Sequence, residues 1–79
     1  MAMLIRAGWM WVDSRRDRNL REKVLAAARR YRGKFGRPPD ICYINAAHLD
    51  RPEIEVQGVR VVGAPNIPPH HFWLGEIEG

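Results

Sequence analysis

Cysteine is all but missing: Cys42 stands alone among 79 residues, so no internal disulfide can form. Clustered metal ligands are missing too, because Cys42, His48, His70 and His71 show none of the close spacings of a structural zinc site. No unbroken apolar run is longer than residues 7–12, far below the ~20 residues that a membrane-spanning helix needs. That stretch is no secretory leader either: a basic start is lacking, Arg6 interrupts the apolar segment, and residues 13–16 are no small-residue cleavage site. Internal repeats, low-complexity segments and catalytic motifs are likewise absent. The expectation is an intracellular, cytoplasmic domain that has no cofactor, makes no membrane contact and keeps Cys42 reduced and buried.

What the chain does have is charge, unevenly placed. Residues 1–38 carry eleven basic side chains against Asp13, Asp17 and Glu22. Residues 39–79 carry Arg51 and Arg60 against six carboxylates. The formal +4 therefore hides a basic front and an acidic back, an asymmetry that bears on partners rather than on chemistry. Arginine outnumbers lysine eleven to two, as in a GC-rich or heat-adapted source. At 46% hydrophobic residues the chain is patterned for folding, as one domain spanning residues 1–79. A domain so small has a thin interior, and with disulfide and metal excluded, self-association is the remaining supplement.

Periodicity divides the chain into elements. Residues 3–12 alternate as a strand with Met3, Ile5, Trp9 and Trp11 on one face and Leu4, Met10 and Val12 on the other. Apolar residues on both faces mark a covered or intersubunit strand. Asp13-Ser14, Asp17 or Asn19 can cap a helix over about residues 17–34, in which Leu20, Val24, Ala27, Ala28, Tyr31 and Phe35 form one apolar stripe. Gly33, Gly36 and Pro38-Pro39 provide its stop signals. A strand at residues 41–46 leads into a helical half-turn. Residues 54–56 and 59–62 flank Gln57-Gly58 as a hairpin that sets Val56 opposite Val59, Glu55 opposite Arg60 and Ile54 opposite Val61. The last strand, His71–Ile77, puts Phe72 and Leu74 on one side and Trp73 and Ile77 on the other. The expected fold is α+β with two layers, β-α-β-β-β, one amphipathic helix on a small mixed sheet.

Three sets of residues are candidates for function. Trp9, Trp11 and Trp73, together with Leu25 set among basic neighbours on the helix, are candidates for an oligomer interface, since indoles anchor contacts well. Arg18, Arg21, Arg29, Arg32 and Lys34 form a row that could track nucleic-acid phosphates, although no DNA- or RNA-reading module accompanies it. Cys42 with His48 or His70 is the remaining, enzymatic reading, and it lacks an oxyanion hole and an orienting third group.

Taken in order, residues 19–77 resemble a stretch within the major capsid proteins of tailed phages. The matching pieces are Ile41-Cys-Tyr-Ile-Asn45-Ala-Ala-His-Leu49, Gly58-Val-Arg-Val-Val62, Ala64-Pro-Asn-Ile-Pro-Pro69 and Phe72-Trp-Leu-Gly-Glu76. Ala46 stands where that family typically has proline, and the family's N-terminal arm, extended loop and spine helix have no counterpart. The resemblance implies a reduced or repurposed domain that packs with copies of itself or with an assembly protein, without catalysis. On that expectation the Arg-rich helix of one copy meets the acidic strands of the next, and the tryptophans supply buried area.

Overall fold

The hairpin that residue pattern alone specifies is present, residue for residue. In the computed structural model, which describes residues 5–77, β3 (Glu53–Val56) and β4 (Val59–Ala64) pair antiparallel with Val56 opposite Val59, Glu55 opposite Arg60 and Ile54 opposite Val61. Gln57 (φ 46°) and Gly58 (φ 86°) both take left-handed backbone, the geometry of a two-residue turn whose twist matches the strands it joins. The ion pair differs from the register. Arg60 reaches the diagonal Glu53, at 2.9 and 3.0 Å, and not the directly opposed Glu55.

Three further strands and one long helix complete the chain: β1 (Ile5–Val12), α1 (Leu20–Phe35), β2 (Ile41–Asn45) and β5 (His71–Ile77). The result is α+β, one helix on a five-stranded mixed sheet, with order β1-β5-β2-β4-β3. Four strands follow the helix once both arms of the hairpin are counted, one more than the string β-α-β-β-β holds. β2 and β4 are parallel, and β5 inserts between β1 and β2, antiparallel to both. Residues 3 and 4, expected to begin the first strand, lie outside the described residues.

Helix α1 starts later than residue 17 because Asn19 is the better cap. Its side chain accepts from the Glu22 backbone N–H (2.9 Å), and the Glu22 carboxylate accepts from the Asn19 N–H (2.8 Å). Asp13 does not cap the helix. It is buried, accepts from the Arg15 N–H at 3.1 Å and stands 3.9 Å from the Arg18 guanidinium. The helix runs through Gly33 and ends at Gly36 (φ 81°), whose N–H bonds to the Arg32 carbonyl. Val24, Ala27 and Tyr31 are its fully buried residues.

Alternation sorts the strands into two faces. Facing α1, Trp9, Leu74, Cys42, Val61 and Ile54 form one cross-sheet row, and Trp11, Phe72 and Ile44 form the next. Together with the helix stripe these residues make the core. On the other face Met10, Trp73, Tyr43 and Val62 stand side by side across four strands. Among the described residues the only helix longer than one turn packs on the opposite side, so this second row lies outside the two-layer core.

Candidate interaction surfaces

The proposed interface residues separate in space. Trp9 and Trp11 point toward the helix and stack on each other with ring centroids 5.5 Å apart. Trp9 also meets Tyr31 and Phe35 edge-on, at 6.3 and 6.5 Å. Both indoles are half-buried against the core, as is Leu25, so these three side chains are engaged within their own chain. Trp73 lies half-buried on the face away from α1, with its indole directly over Gly8. A Cβ at position 8 would collide with that ring, and the β1–β5 register shifts between Arg6 and Trp9 at this point. Glycine there allows β1 to bulge and the indole to lie flat.

Two features of β1 bear on association. It is an edge strand of eight residues, and no charge or proline falls between residues 7 and 12. The opposite edge is protected: β3 has four residues, follows Pro52 and carries Glu53 and Glu55. Met10 (38% exposed) and Val12 (53% exposed) extend the apolar character of β1 onto the uncovered face.

The charge separation seen along the chain is bridged at one described ion pair, the other pairs of the acidic half closing within it. Arg51 stands 4.0 Å from Asp50, Arg60 binds Glu53, and Arg37 reaches across from the basic half to Glu76 at 3.1 Å. Glu76 also accepts from the Tyr31 hydroxyl at 3.2 Å, and burial with this carboxylate nearby holds the Tyr31 phenol above its ordinary pKa.

The basic residues of α1 are in the opposite position. Arg21, Arg29 and Arg32 make no ion pair among the described residues, while Lys34 lies 6.0 Å from the Phe35 ring. The proposed phosphate row is not one track. Arg18 and Arg29 share an open groove of about 780 Å³ between the end of β1 and α1, and Arg32 lies with Arg29 in a shallower depression beside Leu25. Arg15 and Arg30 join the groove, although the helix pattern gave no reason to include them. Arg30 sits 5.2 Å from the centre of the Trp11 ring, a cation–π arrangement. The Trp11 Nε1–H is buried without an acceptor among the described residues.

A smaller cleft, about 110 Å³, opens where α1 begins and β2 ends. Lys23, His48, His70 and His71 line it above Ile44 and Phe72. Cys42 is not part of it. Its thiol is fully buried in the core, and burial pushes its pKa up to about 12, which leaves no thiolate at neutral pH. Among the described residues no three His, Cys, Asp or Glu side chains are placed to hold a metal ion, and no helix is long and apolar enough to cross a membrane. Comparison with family models, with curated proteins and with solved structures finds no match to this chain.

Proposed function

We propose that this chain is a self-associating, non-catalytic assembly domain, of the kind the phage-capsid resemblance implies, acting in the cytoplasm or on a virion. The observation that carries this reading is the β1 edge, which is long, uncharged over residues 7–12 and apolar on both faces, while the β3 edge is short and acidic. An edge of that kind accepts another strand, and folded proteins ordinarily block it. The occupant is β1 of a second copy, antiparallel about a two-fold axis, so that two five-stranded sheets become one of ten strands. The contact is apolar and backbone-mediated, since no charge falls on residues 7–12 of β1 and the helix cations lie on the other layer.

Sedimentation in dilute and in high-salt buffer tests the reading. The expected result is the same oligomer in both, and conversion to monomer by Met10→Lys, which places a charge on the edge strand. A monomer in both buffers overturns the proposal. Dissociation by salt alone would assign the association to charge instead.

A second reading has its own support. The groove lined by Arg15, Arg18, Arg29 and Arg30 beside Trp11 combines guanidinium groups with an aromatic ring, the pairing by which single-stranded nucleic acid is held. Titration of random single-stranded and duplex DNA across a range of salt concentrations tests it. Affinity falling steeply with salt supports the groove, and no measurable binding at low salt removes it.

A further inference from the structure

We infer that the cleft at the start of α1 binds a small oxyanion, the phosphate group of a phosphomonoester. The lining decides the sign of the ligand's charge. Lys23, His48 and His70 bring nitrogen donors to one place, and no carboxylate joins them. The Lys23 ammonium opposes a metal cation, and no three-ligand metal geometry forms among the described residues. Oxyanions are what ammonium and imidazole N–H groups bind in common.

The backbone supports the same assignment. His70 is one of two non-glycine residues with positive φ, at 64°, and the other, Gln57, is explained by its hairpin turn. His70 follows Pro69 in the turn Pro68–His71, closed by the His71 N–H on the Pro68 carbonyl at 3.3 Å, and its positive φ is the one that such a turn requires at its third position. Its carbonyl accepts the Asp13 N–H at 2.9 Å, which ties the loop to the end of β1, and its ring rests 5.5 Å from that of His48. The turn thus carries the His70 ring to the His48 ring at the mouth of the cleft. His71 is fixed as well, with Nδ1 2.8 Å from the Pro69 carbonyl. That carbonyl can only accept, so Nδ1 carries the proton and is already committed, and His71 forms the wall of the cleft while Lys23, His48 and His70 supply its donors.

Size and floor set the ligand class. At about 110 Å³ the cleft is well below the ~300 Å³ at which pockets for drug-sized ligands begin, so one tetrahedral oxyanion with a small substituent fills it. Ile44 and Phe72 beneath these donors exclude water from one side and strengthen each hydrogen bond made there.

Titration of the full chain with inorganic phosphate and with phenyl phosphate, followed by amide and imidazole NMR signals at constant ionic strength, tests the inference. The expected result is saturable shifts confined to residues around Lys23, His48 and His70. Lys23→Met and His48→Asn should each weaken binding by tenfold or more, while Arg29→Ala should leave it unchanged. Circular dichroism of each variant shows that the fold is retained. Shifts that fail to saturate, that chloride reproduces, or that fall on the groove arginines overturn the assignment. A tighter response to Zn²⁺ than to phosphate overturns it in favour of a metal.

Discussion

Gln57 shows how one residue can be right for a fold and still wrong for its backbone. The hairpin needs left-handed conformation at both turn positions, and at 57 the chain supplies a glutamine, whose Cβ strains there. Gln57→Asn should stabilise the protein by about 0.5–1 kcal/mol, because Asn-Gly is the preferred pair for this turn; a urea unfolding midpoint that falls would contradict that account. Cys42 makes a prediction about alkali. With its thiol raised to about 12 by burial, the folded chain keeps a proton that the unfolded chain loses above the ordinary thiol value of 9.0. Stability should therefore be fully present below pH 9 and decline between pH 9 and 12, by roughly 1 kcal/mol per pH unit. The decline should be shallower in a Cys42→Ala variant, in which only the raised Tyr31 phenol contributes to it, and the native thiol should resist alkylation until the protein unfolds.

Elements were legible where their determinants are local. The hairpin register could be read because two residues set the turn and alternation did the rest. The helix start was ambiguous among Asp13, Ser14, Asp17 and Asn19, yet only Asn19 is followed three residues later by a glutamate, and that spacing is the sign of the reciprocal cap. Asn19→Ala should cost about 1 kcal/mol, a fall of ~4–8 °C in melting temperature for a domain of this size, and adding Glu22→Ala should cost less than the sum of the two. Non-local features were not legible. Nothing along the chain says that β5 inserts between β1 and β2, and that insertion decides which indoles pack on the helix and which lies outside it. The histidine cleft was hidden for the same reason. His70 and His71, as neighbours on an extended strand, would point apart; the left-handed turn at His70 and the arrival of His48 from η1 (Ala46–His48) bring all three to one opening.

At the scale of the whole molecule the charge and the edge act together. Antiparallel pairing of β1 with its copy requires a two-fold axis perpendicular to the sheet, which leaves both α1 helices on the same face. Two basic grooves then stand on one surface, and any polyanion meets them as a bivalent site. Met10→Lys, which adds a positive charge, should nevertheless weaken binding of a long single strand by tenfold or more while leaving short oligonucleotides little affected. Equal affinity of the variant for the long strand would show that each groove acts alone.

The pairing of Ile5 with Ile77 has a further consequence for how the molecule comes into being. Among the described strands β1 is made before all the others and pairs with β5, which is made after them, so the nascent β1 must wait, apolar on both sides, for its neighbour to emerge. On a crowded polysome the β5 that arrives can belong to another chain. Exchange of first strands between adjacent nascent copies is thus built into the order of synthesis, and rapid capture of β1 by its own β5 is what keeps each copy intact.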